Sequence, residues 1–202
     1  MIFAFDMDET LTMGDMVAES SKEMLDEGKL DKVYTSADIR SWNMKPLPQE
    51  LIDRIVVNFK DPEKAVWSRK IIQGVYYFIS TIKATGHFAY VITSRPSSLQ
   101  KETRKYLSYH FKDMIDNVFF TNPSDDVPKD DPPTKIDALK LVGPDVYFDD
   151  NLEYCKQALS LNIDTYLITN KRTPWNHKDI PENLKTLKCL SHFDPHNYWE
   201  LL

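Results

Sequence analysis

Apolar residues in this chain gather into short unbroken runs, and between the runs they recur every three or four positions. The runs cover residues 2–5, 88–92, 146–148 and 165–168, with a weaker one at 118–121. Runs of that length bounded by turn-prone residues predict buried strands. The intervening periodicity predicts helices over 97–111, 135–141 and 152–161, and another over 71–85 that stops at Gly86. Strands alternating with helices imply right-handed crossovers, so the pattern predicts an α/β fold with a doubly wound, mostly parallel sheet.

Residues 13–69 break this rhythm. Apolar positions at Met24 and Leu25, and at Leu51, Ile52, Ile55 and Val56, predict short helices there and no strand. So long a connection needs structure of its own. It is therefore expected to be a small helical cap inserted after the first strand, a lid over that strand's carboxyl end, with residues 1–12 and 70–202 forming the core. Segment 122–133, rich in Pro and Asp, predicts a surface loop.

Composition narrows the class. With 202 residues, 42% hydrophobic and 28% charged, the chain suits a soluble domain carrying one insertion. No apolar run approaches the ~20 residues that cross a bilayer. The first residues lack the basic and apolar segments of a leader, so a cytoplasmic protein and no membrane partner are expected. Cys155 and Cys189 stand singly, which argues for reduced thiols and against a zinc site. A net charge of -6 argues against duplex nucleic acid as a partner. The common glycine-rich phosphate and dinucleotide cradles do not occur, and the five histidines show no metal spacing. The oligomeric state stays open, a homodimer included.

The candidate chemistry lies where strands end, the place where open α/β sheets bind ligands. Asp6 and Asp8 follow the first strand, so that one carboxylate can attack while the other handles a proton. A carboxylate attacks a phosphoryl group only when repulsion is removed, which implies a hard divalent cation, magnesium. Asp149 and Asp150 follow a later strand, and crowding them beside Asp6 and Asp8 also calls for a cation. Thr93 and Ser94 end the second strand, with hydroxyls and backbone N–H groups suited to phosphate oxygens. Thr134 with Asp137 reads as a capping box that places Lys135 in a helix's first turn, where an anion would explain a cation. Each feature also admits a plainer role: an Asp-x-Asp turn capped by Thr10, a helix cap at Asp149, Asp150 and Asn151, a turn before Pro96, a solvated lysine. Trp42, Trp67, Tyr76, Tyr77 and Phe78 are expected mainly in the core, with stacking on a nucleobase as the second option.

In order, Asp6-Met7-Asp8-Glu9-Thr10, Thr93-Ser94, Lys135 and Asp149-Asp150 resemble the four motifs of the haloacid dehalogenase-like phosphatase superfamily. Within it, Asp6-Met7-Asp8, Thr93-Ser94, Asp149-Asp150 and Thr173-Pro174-Trp175-Asn176 are similar to the 5'(3')-deoxyribonucleotidase group. The chain departs from that group at Glu9, where glycine is usual, and at Gly14 and Asp15, where an aromatic substrate contact is expected. The resemblance implies Asp6 as the nucleophile and Asp8 as general acid and then base. It implies Thr93, Ser94 and Lys135 as phosphate ligands, with Lys135 also a catalytic residue that offsets charge on the nucleophile and the phosphate. Magnesium would be held by Asp6, the Asp8 carbonyl and the Asp149-Asp150 pair. The implied substrate is a small phosphorylated molecule, a nucleoside monophosphate. A sugar phosphate, a phosphorylated nucleic-acid end and a non-catalytic scaffold are the alternatives.

Overall fold

Phe3, Ala4 and Phe5 carry no polar side chain, and a strand of that kind fits only the middle of a sheet covered on both faces. In the computed structural model, which describes residues 1–39, 44–121, 134–169 and 179–193, that is where it lies. The strands are β1 (Ile2–Phe5), β2 (Thr12–Met13), β3 (Lys70–Ile71), β4 (Phe88–Thr93), β5 (Asn117–Phe120), β6 (Val146–Asp149), β7 (Asp164–Ile168) and β8 (Lys185–Leu187). The helices are α1 (Met16–Asp26), α2 (Gln49–Asn58), α3 (Val75–Ala84), α4 (Gln100–Phe111), α5 (Lys135–Val142) and α6 (Leu152–Ser160). Six strands form one parallel sheet in the order β5-β4-β1-β6-β7-β8. Phe3 is level with Ala89 on one side and Val146 on the other, so β1, β4 and β6 end together.

Alternation along β1 assigns its side chains to two layers. Phe3 and Phe5 join Val91, Phe120 and Phe148 under α3 and α4, which contribute Phe78, Ile79, Tyr106 and Phe111. Ala4 faces the other way, with Ile92 and Tyr147, against Ala138 of α5 and Ala158 of α6. Aromatic rings fill the first layer: Phe5 stacks on Phe148 at 5.2 Å and Phe78 meets both edge-on.

Between β2 and β3 the chain builds a small helical unit with its own apolar cluster. Val17 and Met24 of α1 meet Leu51 and Ile55 of α2, with Ile39 and Leu47 closing the ends. A polar seam runs beside it: Asn58 donates to Ser20 Oγ at 2.9 Å and Glu23 at 3.0 Å, and Lys64 donates to Glu23 at 2.7 Å. Val56, grouped with the apolar positions by spacing, is exposed.

The expectation of no strand in 13–69 is corrected at its edges. Met13 pairs with Lys70 and Thr12 with Ile71 in an antiparallel ribbon at the neck of the unit. Two-residue strands carry no readable period. For the same reason the helix expected over 71–85 begins only at Val75, after Gly74 turns the chain at a φ of 87°. The edge strand β8 was likewise not anticipated. The loop expected at 122–133 lies outside the described residues.

Leu51 is fully buried in the α1–α2 cluster. Leu51→Ala is expected to destabilise the helical unit by about 3 kcal/mol, through lost burial and a residual cavity. Urea denaturation followed by circular dichroism checks this, and a change under about 1 kcal/mol would mean the cluster collapses around the gap.

Candidate active site

The ladder runs one residue past β1, where the Asp6 N–H donates to the Phe148 carbonyl at 2.8 Å. A tight turn follows, in which the N–H groups of Leu11 and Thr12 both donate to the Met7 carbonyl at 2.9 Å. Met7 is buried in the core, so the alternation of side chains puts Asp6 and Asp8 together on the other side, above the sheet's end. The turn requires a left-handed residue, and Glu9 takes it at a φ of 63°. A Cβ is disfavoured there, which is why glycine would fit the position more easily.

Lys135 is buried, not solvated. Thr134 caps α5 by accepting from the Asp137 N–H at 3.2 Å, which sets the first turn and aims Lys135 at the sheet. Its Nζ donates to Asp6 Oδ1 at 2.6 Å and to Asp149 Oδ2 at 2.7 Å, and lies 4.4 Å from the Tyr154 ring centre. Asp149 is engaged through both oxygens: Oδ1 accepts from the Asn151 N–H at 2.7 Å, and Oδ2 also accepts from the Tyr147 hydroxyl. Asn151 alone caps α6, accepting from Glu153 at 2.9 Å, so neither aspartate is spent on that task. Asp150 is half-buried in the cavity wall, and no hydrogen-bond donor reaches its carboxylate among the described residues.

Carboxylate oxygens of Asp6, Asp149 and Asp150 lie within 4.8 Å of one another. Three carboxylates against one ammonium leave excess negative charge in a poorly solvated place, and oxygen donors of this kind fit a hard cation. The titration behaviour agrees. Burial raises the Asp6 carboxyl against the pull of Lys135, with Asp149 and Asp8 adding to the rise, to about 7. Burial, then Asp149 and Asp6, push Asp150 well above the usual carboxylate range. Burial disfavours the charged form of Lys135, yet Asp149 and Asp6 more than offset it and hold the ammonium protonated.

Arg95 completes the floor, and the sequence did not single it out. It is 1% exposed and grips Asp8 with two parallel bonds, Nε to Oδ2 at 2.8 Å and Nη2 to Oδ1 at 2.7 Å. Burial works to raise the Asp8 carboxyl, but the guanidinium overcomes it and leaves Asp8 below its ordinary value. Thr93 is buried, its oxygen accepting from the Arg95 N–H at 3.3 Å, and Ser94 stands beside it at the same strand end. All the candidate residues therefore converge: Asp6, Asp8, Thr93, Ser94, Lys135, Asp149 and Asp150 line one cavity of about 330 Å³.

Its roof comes from the helical unit and is largely apolar, with Met16, Val17, Ile39, Met44, Ile55 and Phe59 beside the polar Asp15 and Ser36. Among the described residues, none of the aromatics considered for stacking lines it. Phe78 is core, Trp67 packs against Tyr106 and donates to Glu102, Tyr76 and Tyr77 are exposed, and Trp42 lies outside the described residues. Gly14 and Asp15 serve the neck. Any Cβ at Gly14 would meet Arg69 Nη1 at 2.1 Å. Asp15 caps α1 and also accepts from the Ser36 N–H and hydroxyl at 3.1 Å. Residues 173–176 lie outside the described part.

No protein-family model matches the chain, and no curated protein matches its sequence. Solved structures do resemble it. A predicted phosphatase from Clostridium acetobutylicum superposes with a TM-score of 0.59 at 18% identity, over 92% of each chain. D,D-heptose 1.7-bisphosphate phosphatase from B. bronchiseptica, solved with magnesium and phosphate, gives 0.56 at 12% identity over 98% of each. A Bacteroides fragilis protein assigned to the haloacid dehalogenase-like hydrolases gives 0.61 at 11% identity, over 94% of this chain and 97% of that one. The fold is that of the haloacid dehalogenase-like phosphatases. Among the described residues, no helix is long and apolar enough to cross a membrane.

Lys135→Met removes the one ammonium between Asp6 and Asp149. It is expected to cost about 3 kcal/mol of folding stability at neutral pH, because two buried carboxylates lose their partner. Urea denaturation with a chelator present measures this, and an unchanged midpoint would mean water reaches both groups.

Proposed function

We propose that this protein is a magnesium-dependent phosphomonoesterase that acts on nucleoside monophosphates through an aspartyl-phosphate. The observation that carries this is the single cavity in which a buried Lys135 holds the Asp6 and Asp149 carboxylates beside Asp8, Thr93 and Ser94. Lys135 occupies Asp6 Oδ1 and leaves Oδ2 without a donor among the described residues, so Oδ2 is the attacking atom. Thr93 and Ser94 hold the phosphoryl oxygens. An entering phosphate dianion adds like charge beside Asp8 and favours its protonated form, so Asp8 gives a proton to the leaving oxygen. Asp8 then takes one from the water that hydrolyses the aspartyl-phosphate. A bound magnesium ion would supply the positive charge that lets a carboxylate approach a phosphate. Asp6 and Asp150 would hold it directly, because the Asp149 oxygens are already engaged by Asn151, Lys135 and Tyr147. The apolar side chains that make up most of the roof among the described residues favour an ester with a flat, weakly polar body such as a nucleobase, with Asp15 and Ser36 as the polar groups beside them. A heptose bisphosphate, the substrate named for one similar fold, presents hydroxyls to that roof instead.

Phosphate release from nucleoside monophosphates and sugar phosphates, with magnesium or with EDTA, tests the proposal. Magnesium-dependent release strongest on nucleotides, reduced to background by Asp6→Asn, is the expected result. Release that survives either change would refute covalent catalysis at Asp6 or the need for the metal. Calorimetric titration with magnesium is expected to show one saturable site that Asp150→Asn removes.

A further inference from the structure

Asp8 presents a problem of orientation. It sits on a loop turn, its side chain is 37% exposed, and the next residue holds a disfavoured left-handed backbone. Nothing in the turn fixes its rotamer, since the nearest turn group, the Thr12 hydroxyl, reaches Oδ1 only at 3.4 Å. Meanwhile Arg95 lies buried at the end of β4, a place that an arginine tolerates only when its N–H groups are used. The fork meets Asp8 through Nε and Nη2, while Nη1 donates to Thr103 Oγ1 at 3.3 Å, so α4 holds the guanidinium from behind. The Arg95 N–H also donates to Thr93 Oγ1, which leaves the Thr93 hydroxyl proton to point elsewhere.

We propose that Arg95 is the positioning residue for proton transfer: its fixed fork orients Asp8 so that Oδ2 carries the proton to and from the reacting oxygens. Each carboxylate oxygen offers two lone-pair sites. Oδ1 faces Arg95 Nη2 and the Thr12 hydroxyl, whose one proton it shares with the Met7 carbonyl at 3.2 Å, whereas Oδ2 has Arg95 Nε alone among the described residues. Oδ2 therefore keeps one site for the substrate. In the first transfer Asp6 Oδ2 bonds to phosphorus as the ester P–O bond breaks. Its electron pair goes to the leaving oxygen, which takes the proton from Asp8 Oδ2. In the second, water bonds to phosphorus, the Asp6 Oδ2–P bond breaks, and the water's proton passes to Asp8 Oδ2. Lysine cannot replace the fork, because an ammonium is a point charge without two parallel donors.

The inference rests on the phosphatase proposal, and the test separates the two. Single-turnover release of the leaving group is measured with an alkyl phosphate, whose alkoxide needs a proton, and with 2,4-dinitrophenyl phosphate, whose phenolate does not. Arg95→Lys is expected to slow the alkyl ester about 100-fold while changing the dinitrophenyl ester less than about 3-fold, the signature of a lost general acid. KM is expected to stay near the original. Thr103→Val, which frees the guanidinium from behind without touching the cavity, is expected to shift the rates in the same direction by a smaller factor. It also serves if Arg95→Lys does not fold. Equal slowing of both esters in either variant would make Arg95 a structural residue and overturn the inference. Full activity of both variants would do the same. No release by the unaltered protein would refute the phosphatase proposal and this inference with it.

Discussion

The buried Lys135 ammonium, bonded to Asp6 and Asp149, is the interaction on which the rest of the site depends. Asp6 continues β1, Asp149 ends β6, and Lys135 opens α5, so one side chain fixes two strand ends and a helix against each other. Burying three charges is costly unless their hydrogen bonds are complete. Asp149 comes nearest to that condition, with both oxygens bonded, while Asp6 and Asp150 keep oxygens that no donor reaches among the described residues. The incomplete half faces the cavity. Its unsatisfied oxygens make the place receptive to a cation, and so to the phosphate that a cation can bring.

Two further devices aim the turn after β1. Its second carboxylate is held from β4 by the Arg95 fork, and its backbone bends at Glu9 where glycine would be unstrained. The Glu9 carboxylate accepts from the Gly14 N–H at 3.4 Å, linking the turn to the neck of the helical unit. The neck in turn needs Gly14, because Arg69 fills the space a Cβ would take. Floor and roof are thus joined through a short chain of contacts in which Asp15 anchors α1 and gathers in Ser36. The floor is ionic and the roof largely apolar; under the proposed function the first carries the chemistry and the second the choice of leaving group.

Much of this was legible in the sequence because it follows from period and adjacency. Five apolar runs marked five strands of the sheet, and the acidic and hydroxyl residues after them had to share one edge once the strands were parallel. Thr134 and Asp137 announced the cap that aims Lys135. What escaped depends on distance along the chain. Arg95 meets Asp8 across 87 positions, and the roof residues meet the floor only after α1 and α2 fold over it. The β2–β3 ribbon and the edge strand β8 were too short to show a period. The aromatics were misjudged in part because Tyr76 and Tyr77 sit on the outer face of α3. Burial of Asp149 was hidden because its partner Tyr147 looks like any core aromatic.

Under the proposed function, Asp6 bonds covalently to phosphorus within this buried ionic site. Rapid acid quenching during turnover of a nucleoside monophosphate, followed by reduction with tritiated borohydride and peptide mapping, reads this bond out. Tritium on the peptide that contains Asp6, with Asp6 converted to homoserine, is the expected result. Turnover without covalent label, or label on another residue, would contradict it.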